Sequence, residues 1–207
     1  MAKYSRSIIS LIKAGTHLTI VVSAAIGLVT PLAAGASTAL IENQSVVQPT
    51  KSDWKRNGVR VIRANQLDPN MPSSSSTPGM DRSTAIDIAR VGARKLWAGT
   101  VSIKPGARTG AHHHGTLESV IYVVRGIARL RWGDRLEYTA EARPGDFIYV
   151  PPFVPHQELN ASTTEPLDCV LVRSDGQAIS INIPGLKPVD QPEEVLWIDP
   201  THPKGGL

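Results

Sequence analysis

A single cysteine, Cys169, in 207 residues excludes an intrachain disulfide framework and any cysteine-rich zinc or iron–sulfur site. Neither a G-x-G-x-x-G nor a G-x-x-x-x-G-K-[ST] loop occurs, so the usual phosphate-cradling turns of nucleotide-binding α/β folds are missing. The apolar run at residues 18–29, of 12 residues, is shorter than the ~20 that a transmembrane helix needs. No pair of apolar-periodic helices precedes residue 96, as a helix-turn-helix regulator would require. Charged residues are only 19% and aromatics 5%, yet 41% of the chain is hydrophobic, enough for one core and too much for a wholly disordered protein.

What charge there is lies unevenly. The formal balance is +4, but residues 1–36 hold Lys3, Arg6 and Lys13 and no acid. A basic head, a short apolar run and the small-residue exit TPLAAGA, with Ala34 and Ala36 at A-x-A spacing, is the layout of a secretory signal peptide. A retained anchor or a misassigned start are the competing readings. Cleavage after Ala36 leaves 19 bases against 18 acids, so the case for an acidic partner largely disappears. The expected location is then exported, periplasmic or extracellular, with no stable membrane association after cleavage; a misassigned start would make the protein cytoplasmic.

Residues 37–93 read as an irregular lead-in and N-terminal arm. Within them Val59–Arg63 suggests a short edge strand, DPNMPSSSSTPG at 68–79 carries turn chemistry, and 83–91 offers a weak helical turn or two. From residue 94 to 200 the pattern changes. Short segments rich in β-branched and aromatic residues fall at 96–103, 119–124, 127–132, 135–140, 146–150, 156–160, 167–173, 178–183 and 194–198. Gly/Pro turns separate them and no helix intervenes, which argues for an all-β sandwich or barrel over a doubly wound sheet. Residues 201–207 form a C-terminal tail.

The polar residues at HHH, 112–114, do not fit a bland core. On an extended chain His112 and His114 face one side and His113 the other. Glu118 follows, and His156 stands about 40 residues on in GDFIYVPPFVPHQELN. Such a set suits one divalent metal, and imidazole with carboxylate favours Mn, Fe, Ni, Co, Cu or Zn over Ca or Mg. Surface or core histidines remain the competing reading. Trp97, Tyr122, Tyr149, Phe153 and Gln157 are candidates for the pocket but read first as packing, as do Trp132 and Trp197. Arg129 and Arg131 share a face towards solvent or a partner subunit. Cys169, in LDCVLVR, reads as a buried hydrophobe.

The spacing resembles that of the single-domain cupins. Their first motif, a glycine, five residues, H-x-H, three residues and a glutamate, is met by Gly106, His112, His114 and Glu118. Its closing glycine is Gly126, one residue later than the commonest spacing, a shift that a bulge or longer strand would absorb. The second motif is met by Gly145, Pro151, His156 and Asn160, with Phe153 where a glycine is usual.

The resemblance implies a jelly-roll, double-stranded β-helix barrel and four metal ligands, His112, His114, Glu118 and His156. It gives Asn160 a supporting role at a turn. Open positions on a His3Glu-bound divalent metal would serve oxygenase or isomerase/lyase chemistry on a small molecule; the alternative is a non-catalytic binding or sensing barrel. A homodimer is expected, with the arm at 59–93 contributing strands, and no nucleic acid.

Overall fold

The computed structural model describes residues 51–69 and 77–201. The export segment at 1–36, the first part of the lead-in, the serine run at 70–76 and residues 202–207 of the tail lie outside the described residues. Among the described residues eleven strands follow one another: β1 (Met80–Ile86), β2 (Trp97–Ile103), β3 (His112–His113), β4 (Ser119–Arg125), β5 (Ala128–Trp132), β6 (Tyr138–Ala142), β7 (Phe147–Val150), β8 (His156–Asn160), β9 (Leu167–Arg173), β10 (Ile181–Asn182) and β11 (Glu193–Glu194). They form two sheets, β1-β2-β9-β4-β7 and β10-β3-β8-β5-β6-β11, the double-stranded β-helix of a jelly roll with an irregular N-terminal region.

Alternation builds the core. Trp97, Val101 and Ile103 of β2, Ile121 and Val123 of β4, Leu167, Cys169 and Leu171 of β9, and Ala128 and Leu130 of β5 all turn inward. The hairpin between β4 and β5 turns on Gly126, at φ 88°. A Cβ there would lie 2.6 Å from the Pro166 carbonyl oxygen, so both the backbone angle and the space demand glycine.

Several sequence expectations need correction. Residues 80–86, assigned to the irregular arm and in part to a weak helix, are the edge strand β1, paired from Met80↔Ile103 to Thr84↔Gly99 and, past a register shift, at Ile86↔Ala98. An edge strand held by backbone bonds needs little apolar pattern, so its sequence resembles a loop. The helical turn is confined to Ile88–Val91, where the Asp87 carboxylate accepts from the Arg90 N–H and Gly92 closes the turn at φ 73°. Val59–Arg63 forms no strand, and Val59 is 98% exposed. The segments at 178–183 and 194–198 shrink to the two-residue strands β10 and β11. Trp197 does not pack in the barrel: it is exposed.

Candidate metal centre

The centre lies where two cross-strand rows meet. In one sheet Trp97, Arg173, Ser119 and Val150 are successive partners across β2, β9, β4 and β7, and all four are buried. In the other, Trp132, His156, His112 and Asn182 are partners across β5, β8, β3 and β10. His114, just past β3, bridges the rows. Its Nδ1 is 2.7 Å from the Ser119 hydroxyl and its Nε2 is 3.0 Å from Arg173 Nη2. His113 points away, as period two requires, and its Nδ1 accepts the Gly115 N–H.

His112, His114 and His156 are buried, and their ligand atoms lie within 4.8 Å of one another. Because β3 and β8 pair His112 directly opposite His156, the two rings stand 4.4 Å apart, centroid to centroid. Hydrogen bonding sets the three tautomers. The His112 Nδ1–H donates to the Gly110 carbonyl at 3.0 Å and the His156 Nδ1–H to the Val154 carbonyl at 2.9 Å. A guanidinium only donates, so His114 Nε2 accepts from Arg173 and its Nδ1–H donates to Ser119. All three imidazoles therefore turn an Nε2 lone pair inward, and those of His112 and His156 have no hydrogen-bond partner. Buried acceptors left unpaired are costly, and Nδ1–H bound to backbone carbonyl is how a metal-ligating histidine is ordinarily oriented. The three residues fit a divalent transition metal.

Glu118 does not join them. It is exposed, its carboxylate accepts from the Tyr149 hydroxyl at 2.7 Å, and inward-facing Ser119 takes the place beside His114. The register of β4 cannot slip to bring it in, because a one-residue shift would expel Ile121 and Val123, which are 4% and 0% exposed. The closing Gly126 carried the signal. Counted from Glu118 it stands one residue late; counted from Ser119 its spacing is the common one.

Sequence reasoning passed over two charged residues that do face the centre. Glu158, two residues beyond His156 on the same face of β8, brings Oε2 to 3.9 Å from His112 Nε2, and this oxygen has no hydrogen-bond partner. Arg173 is 3% exposed; its guanidinium stacks over the Trp97 ring at 5.6 Å and Nη1 donates to the Ile179 carbonyl. Period-two counting from His156 would have found Glu158. Nothing local marks Arg173, which ends a mostly apolar strand that also carries Asp168.

Electrostatics follow from this burial. Desolvation holds His114 far below the ordinary imidazole range, with the Arg173 guanidinium and the other two histidines adding to it. Burial pushes His156 down to about 4 against the opposing pull of Glu158. For Glu158 itself burial works upward, yet His112, His156, Arg82 and Arg173 hold the carboxyl below its usual range. Burial also brings Arg173 down to about 10.

The other candidates have structural positions. Asn160 donates to the Ile103 and Glu165 carbonyls and accepts from the Ser162 N–H, tying down a turn. Gln157 donates to the Thr109 carbonyl. Tyr122 and Phe147 pair on the exposed face, Trp132 packs on the core, and Arg129 pairs with Glu141. Arg131 donates to the Leu136 and Val189 carbonyls. Cys169 is buried, its thiol pushed up to about 12 by desolvation, which suits a packing residue. Phe153 keeps the left-handed backbone of the usual glycine, at φ 61°, and is exposed beside His113.

Residues 99–173 match the family model described as Cupin domain. No curated protein matches the chain significantly. Among solved structures, the polyketide cyclase RemF from Streptomyces resistomycificus is 19% identical, with 70% of this chain and 91% of that one covered and a TM-score of 0.51. A recombinant oxalate oxidase in complex with glycolate is 18% identical over 55% of this chain and 61% of its own, at a TM-score of 0.46. The oxalate decarboxylase from Bacillus subtilis is 22% identical over 52% of this chain, at 0.46, and the chain spans only 28% of its length. At these identities the likeness is one of fold. Residues 99–173 are therefore a cupin domain, and the strands on either side of them extend its two sheets.

Proposed function

We propose that the protein is a metal-dependent cupin acting on a small, oxygen-bearing molecule by oxygenase or isomerase/lyase chemistry. The observation that carries this reading is the convergence of three inward Nε2 atoms, those of His112 and His156 without a partner and that of His114 accepting from Arg173, each ring oriented by an Nδ1–H bond elsewhere. A divalent metal held there supplies Lewis-acid polarisation of a substrate oxygen or, with a redox-active ion, one-electron chemistry. The chain's own residues do the rest. Ser119 fixes the His114 ring, and the apolar rows below exclude water. Arg173, pinned on Trp97, presents a cation suited to a carboxylate or enolate oxygen.

Elemental analysis of untagged protein from its native host tests the reading. One transition metal per chain is expected, lost on joint His112→Ala and His114→Ala replacement; unchanged metal content in that variant sinks it. Turnover is then sought as substrate-dependent oxygen uptake or isomerised product. A non-catalytic binding barrel is favoured by one observation, the closure of the centre: His112, His114 and His156 are only 1–3% exposed. Tight ligand binding without turnover would decide for it.

Two further parts of the proposal concern setting. Residues 1–36 are proposed as a cleaved export signal, checked by mass spectrometry of the mature N-terminus. Homodimerisation is proposed through the exposed apolar face of β4 and β7, which bears Tyr122, Val124, Phe147 and Tyr149, and light scattering of a Phe147→Glu variant checks it. Among the described residues no helix is long and apolar enough to cross a membrane.

A further inference from the structure

We propose that Glu158 of β8, and not an acid at the start of β4, is the carboxylate ligand that completes the metal centre; the inference rests on the metal reading above. Three histidines supply no negative charge, and a divalent ion enclosed by residues 1–3% exposed needs some nearby. Glu118 cannot provide it, for its carboxylate lies on the outer face with Tyr149. Ser119, which does face inward, contributes a neutral hydroxyl already engaged with His114.

Glu158 meets each requirement. It shares the inward face of β8 with His156, and its side chain is buried. Its Oε2 lies 3.9 Å from His112 Nε2, and both atoms lack a hydrogen-bond partner. Two ligands of one transition metal, each at ~2.0–2.2 Å, stand roughly 3–3.5 Å apart, so the observed separation needs only a small contraction around an ion. On the core side of the carboxylate a void of about 20 Å³, lined by Leu130, Ile148, Cys169 and Leu171 and by none of the histidines, leaves Glu158 loosely packed there. Arg82 and Arg173 offset the charge of the buried carboxylate, yet its Oε2 is left unpaired and turned towards unpaired imidazole nitrogens, a costly arrangement for packing alone. The carboxylate has thus moved from the first motif to the second, while the three histidines keep their places.

The test uses full-length, metal-free protein titrated with Co(II) against a competing chelator. Glu158→Gln keeps the shape and removes the charge; Glu118→Gln is the matched control. Glu158→Gln is expected to weaken cobalt binding by roughly tenfold to a hundredfold, with Glu118→Gln close to wild type. A loss below tenfold for Glu158→Gln, or an equal loss for Glu118→Gln, overturns the assignment. Should Glu158→Gln not fold, a crystal structure of the cobalt-loaded wild type decides: a Glu158 oxygen at ~2.0–2.2 Å from the metal supports it, and one beyond ~3 Å overturns it. Wild-type protein that binds no cobalt would overturn the metal reading itself, a result distinct from either.

Discussion

Protons compete for the same nitrogens as a metal. His156 is pushed down to about 4 and His114 lower still, so between that range and the ordinary imidazole value of 6.5 the unfolded chain binds more protons than the folded one. Stability supplied by the neutral imidazoles is thus present above pH 6.5 and falls as the pH drops below it, by up to about 1.4 kcal/mol per pH unit for each histidine. The depressed Glu158 carboxyl adds loss of the same sign at lower pH. Urea midpoints of metal-free protein between about pH 7.5 and about pH 4.5 check this, and a flat profile would contradict the burial argument. Arg173 competes in another way, holding the His114 Nε2 lone pair and placing a positive charge beside it. Arg173→Met keeps the apolar contact with Trp97 and removes both effects, so metal affinity should rise on the order of tenfold while affinity for a small carboxylate falls. Isothermal titration with cobalt, then with acetate, measures both.

At the scale of the element, what matters is where backbone pairing places side chains. The β3–β8 bridge sets His112 opposite His156, and the β4–β9 register sets Ser119 opposite Arg173. A change in either register would dissolve the centre without altering a ligand. The loop before β8 shows how far sequence can depart while backbone is kept. Phe153 occupies a left-handed conformation at φ 61°, held by its N–H donating to the Gly115 carbonyl at 2.8 Å. A bulky residue there is strained by ~1–2 kcal/mol, whereas glycine is not, though glycine loses more chain entropy on folding. Phe153→Gly should therefore stabilise the fold by up to about 1 kcal/mol, read from the denaturant midpoint. A loss above that size would show that the exposed ring contributes contacts through His113. The β1 strand makes the opposite point: its pairing with β2 was hidden in the sequence because Met80–Ile86 carries little apolar alternation and is placed mainly by backbone bonds.

For the whole molecule, a metal held by the three histidines would be a ligand of the native state only. The histidines come from β3, the turn after it and β8, about 40 residues apart in sequence, and unfolding scatters them. Binding should thus stabilise by about 2.7 kcal/mol at free metal ~100 times Kd, or roughly 5–10 °C in Tm. Differential scanning calorimetry with cobalt and with chelator checks the shift. The His112→Ala and His114→Ala double variant should show none.

The amino-acid sequence by itself determined the class of fold and three of the metal-site residues. Turn-punctuated β segments, His112 and His114 two residues apart, and His156 in a second motif are local patterns, readable because strand alternation has period two. Tertiary structure decided which carboxylate faces the histidines. Both faces of β4 are apolar, with Ile121 and Val123 on one and Val120, Tyr122 and Val124 on the other, so alternation left its register open. Only packing against the second sheet turned Ser119 in and Glu118 out. The same packing brought Arg173 to the centre, from a strand position whose environment no local pattern records, whereas Glu158 was within reach of alternation from His156.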